Sequence, residues 1–184
     1  MGFDVITIDP AIRGLCAFSL ALIFGASGVM KLRDLELFEG SLANYQLVPT
    51  WMEKPLAYLL PLIECAAAAG LVLPSTRELA ASMLLALLTI FSGAIAINLA
   101  RGRANIDCGC FGPALRQELS GWLLLRNAFL AIVAAAVMLP ENSRPIESLD
   151  VATIVLGATT LVILYASANI AIGNAPRTQA LELM

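Results

Sequence analysis

The chain has 184 residues, 59% of them hydrophobic and 14% charged, with a mean hydropathy of +0.84 and a formal net charge of -3. Soluble domains carry nearer a quarter charged residues, so this is the composition of an integral membrane protein, and no basic patch points to nucleic acid. Histidine is absent, which excludes His-ligated haem, His-containing zinc sites and Ser-His or Cys-His dyads built from this chain alone.

Residues 1–10 carry Asp4 and Asp9 and no basic residue. A secretory signal would open with positive charge and close with a small-residue cleavage site, so the first apolar run is expected to be a retained membrane helix. Five apolar runs follow one another at about 12–30, 55–73, 79–99, 121–139 and 151–172. Each is near the roughly 20 residues that cross a bilayer. In lipid each must be helical, because unpaired backbone groups cost several kcal/mol apiece. The expected fold is all-α, a single transmembrane domain of five spanning helices. Small residues at Gly25, Ala26, Ser27 and Gly28, and from Ala66 to Gly70, suit close helix–helix approach.

Only 74–78 separate the second and third runs, which predicts a tight antiparallel hairpin. The two long connectors are 31–54 and 100–120. The first mixes Leu35, Leu37, Phe38, Leu42 and Leu47 with Asp34, Glu36, Glu39 and Asn44, the pattern of a surface-lying amphipathic segment. With five spans both connectors fall at one end of the bundle, where they can fold together.

The second connector holds Cys108-Gly109-Cys110-Phe111-Gly112-Pro113. A Cys-x-Cys disulfide closes a small strained ring that glycine at x relaxes best, and strained exposed disulfides exchange readily. Arg101 and Arg103 lie upstream, and positive charge favours a thiolate. Three readings are open at this point: a redox-active thiol pair, a turn with idle cysteines, or a metal site. The last is short of the four ligands zinc wants. Cys16 lies just inside the first run. A rise of 1.5 Å per residue puts it roughly 22 Å from Lys31 at the other end of that helix, too far to meet the pair. Cys65 is expected near mid-bilayer, and both read as small buried hydrophobes.

Glu64 in the second run, Asn98 closing the third, and Arg126 with Asn127 opening the fourth are polar groups inside spans. Such groups usually face the bundle interior with a partner. Glu64 can pair with Arg126 or Lys31. That pairing either orients helices or lines a site for a quinone headgroup, with Arg126 or Asn127 as donor.

The run from Ala96-Ile97-Asn98-Leu99 through Arg101-Gly102 to Asp107-Cys108-Gly109-Cys110-Phe111-Gly112, then Trp122 and Leu125-Arg126-Asn127, resembles the methylamine-utilisation MauE family. Gly28-Val29-Met30-Lys31-Leu32, Tyr45-Gln46-Leu47-Val48-Pro49 and Glu64 are similar to its earlier motifs, shared more loosely with DoxX-like proteins. The resemblance covers about residues 13–172. It implies a four-helix-bundle core, here with one extra helix, similar to vitamin K epoxide reductase and DsbB-type thiol oxidoreductases. It also implies a bacterial inner-membrane protein that supports maturation of periplasmic methylamine dehydrogenase, whose small subunit is rich in disulfides, together with the thioredoxin-like partner MauD.

By that analogy Cys108 and Cys110 oxidise the partner dithiol and pass electrons to membrane quinone (ubiquinone or menaquinone). Lys31, Glu64, Asn98, Arg126 and Asn127 are then the expected headgroup contacts. Those relatives use Cys-x-x-Cys and a second shuttle pair, whereas this chain offers one Cys-x-Cys. The alternative is a non-catalytic scaffold or chaperone that docks MauD or the dehydrogenase small subunit. A transporter ranks below both, because inverted repeats and broken helices are not evident.

Orientation pulls two ways. Lys31, Arg33, Lys54, Arg101, Arg103, Arg116 and Arg177 lie at the end of the long connectors, and Arg13, Arg77 and Arg144 at the other. The positive-inside rule therefore places the cysteines in the cytoplasm. Disulfide donation to a periplasmic client needs them outside, and the periplasmic face is the expectation adopted.

Overall fold

The structure is a computed structural model that describes residues 7–109 and 117–182, with side chains described as far as 172. Its helices are α1 (Pro10–Arg33), α2 (Leu35–Tyr45), α3 (Thr50–Val72), α4 (Arg77–Ala100), α5 (Gly121–Val137) and α6 (Ser148–Glu182). Four of them, α1, α3, α4 and α6 as far as Ile172, are long and apolar enough to cross a membrane. α5, with 17 residues, sits at the short end of the spanning range. The chain is a multi-pass helical membrane protein, and α2 is the amphipathic segment expected in the first connector.

Local chemistry sets the helix ends. Asp9 caps α1 by accepting a hydrogen bond from the Ala11 N–H (2.8 Å), and Pro10 occupies the first turn, where its missing N–H costs nothing. Asp34 ends α1 and caps α2 through Leu37 N–H (3.4 Å). The expected α3–α4 hairpin is closed by Thr76 Oγ1 donating to the Gly70 carbonyl (2.9 Å) and Arg77 Nε donating to that of Leu71 (3.2 Å).

The main core lies between α1, α3, α4 and α5 and includes Leu20, Leu71, Leu84, Leu130 and Val137. The small-residue stretches serve this packing. A Cβ on Gly28 would come within 2.6 Å of Cys65 Sγ and 3.0 Å of the Pro61 carbonyl, so α1 and α3 meet where only glycine fits. α6 is the extra helix. It lies mainly against α1 and buries only Ala158 and Asn169 among its described side chains. Leu156, Leu161, Ile163 and Leu164 are exposed, an arrangement that lipid satisfies.

The two ends of the bundle differ. At one, Ile8 bridges to Glu141, and Arg13 donates to Val137 O (2.8 Å) while pairing with Glu78 (2.9 Å) and Glu141 (3.1 Å). Arg144 there binds Asp9 and Asp150, each at 3.1 Å. The Arg144 hydrogen bond, followed by that from Ala11 N–H, holds the Asp9 carboxyl below the usual carboxylate range. At the other end the two long connectors fold onto each other, as the span count expects.

Candidate functional site

The cysteine connector is pinned at its base. Cys108 N–H donates to Gln117 O (2.8 Å) and Leu119 N–H to Ile106 O (3.0 Å), so 106–108 and 117–119 run antiparallel around the Asp107–Glu118 bridge. Asp107 Oδ1 accepts from the N–H groups of Gly109 (3.4 Å) and Gln117 (3.2 Å). Gly109 has φ +69°, where glycine is favoured, and a Cβ there would lie 2.8 Å from Ser41 Cβ on α2. Tyr45 Oη donates to Cys108 O (3.4 Å) and Arg103 to Asn44 O (3.1 Å). Burial, then the Asp107 charge, pushes the Tyr45 hydroxyl up to about 12.

Cys108 is disulfide-bonded, whereas Cys16 and Cys65 are free thiols. Cys108 is buried and packs with Ile95, Leu119 and Leu123 in a second apolar cluster. Cys110, the Phe111-Gly112-Pro113 turn and Arg116 lie outside the described residues.

Two cavities meet at Lys31. The larger, about 490 Å³, lies beneath α2 between α3 and α4. Its walls are apolar except for a few groups; Phe38, Leu42, Leu60 and Ile95 contribute surface, Lys31 and Tyr45 polarity, and Cys108 part of the wall. The volume falls within the range of small-molecule sites. Ile90 and Ile97 of its lining are also exposed on the outer surface of α4, so the cavity borders the lipid-facing side.

The smaller cavity, about 30 Å³, is polar at one side, with Ser27, Lys31, Glu64, Arg126, Asn127 and Tyr165 among its liners. That is room for a water molecule or two and not for a quinone ring. Lys31 Nζ donates to Glu64 Oε1 at 2.5 Å, the two side chains being 4% and 1% exposed. Ser27 Oγ donates to Glu64 Oε2 (3.3 Å). The Lys31 ammonium also lies 5.1 Å from the Phe38 ring centre and 5.0 Å from that of Phe91, within cation–π range.

Of the two partners open to Glu64, the structure selects Lys31. Arg126 instead bonds Gln117 Oε1 (3.5 Å) and Asn127 Oδ1 (3.3 Å), and Gln117 donates to Asn169 O on α6 (2.7 Å). Asn127 donates to Ser92 Oγ on α4 (3.3 Å). Lys31, Glu64, Arg126 and Asn127 thus gather at the small cavity, and of these only Lys31 also reaches the large one. Asn98 is fully buried and donates to Ala94 O (3.1 Å); it lines neither cavity. Sequence reasoning did not assign roles to Tyr45, Ser41, Phe38 or Gln117. The available signals were the amphipathic pattern for Phe38 and the Tyr45-Gln46-Leu47-Val48-Pro49 motif for Tyr45.

Fold and site together define a class: a multi-pass helical membrane protein with a pinned cysteine connector over a lipid-bordering apolar cavity. A family model described as "Methylamine utilisation protein MauE" matches residues 9–140, and the chain belongs to this family. Its relatives include MauE of Paracoccus denitrificans, 38% identical over 165 residues covering 89% of this chain and 88% of the relative. MauE of Paracoccus versutus is 39% identical over 170 residues (91% and 90%). MauE of Methylorubrum extorquens is 41% identical over 126 residues (68% of each). No solved structure is significantly similar.

Proposed function

We propose that this protein is a membrane thiol–disulfide oxidoreductase of methylamine utilisation, with Cys108 and Cys110 as its redox pair and a membrane quinone as electron-accepting substrate. The observation that carries the reading is the position of disulfide-bonded Cys108 in the wall of the 490 Å³ apolar cavity. A planar apolar ring with carbonyl oxygens suits such a cavity, with Lys31 as the charged donor and the lipid-bordering wall at Ile90 and Ile97 as the exit for an isoprenoid tail.

In this reading a thiolate of a thioredoxin-like partner attacks one sulfur of the Cys108–Cys110 bond, and a mixed disulfide forms. The partner's second thiolate displaces it, which oxidises the partner and leaves Cys108 and Cys110 as a dithiol. The dithiol then gives two electrons and two protons to the quinone and regains its S–S bond. MauD is the proposed partner and the methylamine dehydrogenase small subunit the client.

The cysteine end is proposed to face the periplasm of the inner membrane. The charge count against this is weakened because Lys31 is consumed in an internal ion pair and so is not a topological signal.

Cys108→Ser and Cys110→Ser are each expected to abolish client disulfide formation, read by thiol alkylation of the dehydrogenase small subunit. Full activity in both variants overturns the reading. Partner co-purification that survives loss of both cysteines, with client maturation intact, favours a scaffold instead. A membrane-impermeant thiol reagent applied to intact cells after reduction should label Cys108; protection until lysis removes the periplasmic placement.

A further inference from the structure

Lys31 and Phe91 both line the two cavities, and of the two Lys31 carries a charge, ion-paired to a carboxylate. On the apolar side it is a cationic group within a wall of Phe38, Leu60, Phe91 and Ile95. On the other side Ser27, Glu64, Arg126 and Asn127, together with apolar side chains such as Phe24 and Leu130, line a space large enough for water. A buried ion pair costs desolvation that a leucine pair would not incur, and buried ionisable groups within spans are more often functional than stabilising. A structural pair needs only each other. This one also borders a water-sized cavity on one face and a ligand-sized apolar cavity on the other.

We propose that Lys31 donates a proton to the electron acceptor held in the large cavity and is reprotonated through the small one, with the Glu64 carboxylate holding the ammonium between them. This rests on the thiol–quinone reading and assigns the proton route within it. As the Cys108–Cys110 bond forms, the dithiol releases two electrons and two protons. The Lys31 ammonium passes one proton to a carbonyl oxygen of the quinone, and the resulting amine, beside the Glu64 carboxylate, is reprotonated through the small cavity. That side draws its replacement from a proton released by the thiols to solvent. The second quinone oxygen receives the other thiol proton, so the sum is dithiol plus quinone giving disulfide plus hydroquinone. Placing the donor inside the bundle keeps bulk water out of an apolar site that a lipophilic substrate must enter.

The test uses the full-length protein in lipid nanodiscs, pre-reduced and mixed with a short-chain ubiquinone. Single-turnover quinone reduction is followed by absorbance, quinone affinity by equilibrium titration, and exchange of the oxidised protein with dithiothreitol by thiol alkylation. At quinone concentrations that the titration shows to be saturating for each protein, Lys31→Met is expected to slow quinone reduction at least 50-fold while leaving dithiothreitol exchange, which bypasses the quinone site, within twofold. Its residual rate should rise as pH falls from 8 to 6, because the proton must now come from bulk, whereas the wild-type rate stays flat. Lys31→Arg, which keeps a charged donor, should slow less than Lys31→Met. If Lys31→Met does not fold, Ser27→Ala, which removes a polar liner and keeps the ion pair, carries the same test with an expected three- to tenfold slowing.

A Lys31→Met protein with wild-type rate and pH profile overturns the proton role and leaves the thiol–quinone reading standing; so does an unchanged Ser27→Ala protein where that variant carries the test. A wild-type dithiol that the quinone does not oxidise overturns the parent reading and this inference with it.

Discussion

Both ends of the bundle are organised by a basic residue of α1 that is itself buried, and they use it for opposite purposes. Arg13 is 7% exposed, but its partners Glu78 and Glu141 have side chains 70% and 45% exposed. Its charge is neutralised by carboxylates that stay in water, and the cluster ties the N-terminus, the α3–α4 turn and the α5–α6 connector together. Lys31 and Glu64 are both withdrawn from water. Coulomb attraction there is stronger, yet it must offset a desolvation cost of several kcal/mol per ion. The same pairing chemistry is a water-bordering fastener at one end and a pair withdrawn from water at the other.

The largest effect expected from this contrast is on the buried pair. Lys31→Ala or Glu64→Ala leaves a charge without its partner in the interior and should cost about 3–5 kcal/mol, read from denaturant unfolding in micelles. The double variant Lys31→Met/Glu64→Leu should recover most of that loss, since apolar replacement of a buried pair is often neutral. Additive losses in the double variant would break the comparison.

Next in size is Gly109→Ala, which meets both the left-handed φ and Ser41 at 2.8 Å; about 1–3 kcal/mol is expected, together with easier reduction of the Cys108 disulfide as the connector lifts from α2. A smaller, pH-resolved effect concerns Tyr45. Its hydroxyl is raised to about 12 by burial, against an ordinary value of about 10. The unfolded chain therefore loses that proton first. The contribution is intact below about pH 10 and is lost between about 10 and 12. Tyr45→Phe should flatten stability across that window. Smallest is Glu78→Gln: an exposed partner of Arg13 is worth at most about 1 kcal/mol, and a larger loss would mean that the outer cluster is also doing interior work.

The sequence disclosed what repeats along a helix and hid what arises between helices. The apolar runs marked the spans, because lipid forces them to be helical whatever they pack against. The mixed 31–54 connector disclosed α2 through its amphipathic pattern. Glu64 was visible as a charge needing a partner, but Lys31 and Arg126 were equally available, and only the α1–α3 crossing at Gly28 decides for Lys31. The large cavity had no signature at all. It is the space left where α2 folds back over α3 and α4, and its liners are ordinary leucines, isoleucines and phenylalanines. The outlying position of α6 was equally hidden, since a helix apolar all round reads the same against lipid as against protein.

The placement of Lys31 near the end of α1 also bears on how such a chain enters a membrane. Helices emerge in order, and Glu64 is synthesised 33 residues after Lys31. During that interval a lysine close to a helix end can reach toward the headgroups with its flexible stem. A charge at mid-helix has no such refuge and is costly until it is paired. The chain therefore puts the adaptable cation first and near the surface, and the mid-span carboxylate second. In the folded protein the mid-span carboxylate, the charge least able to stand alone in lipid, has its partner on the preceding spanning helix.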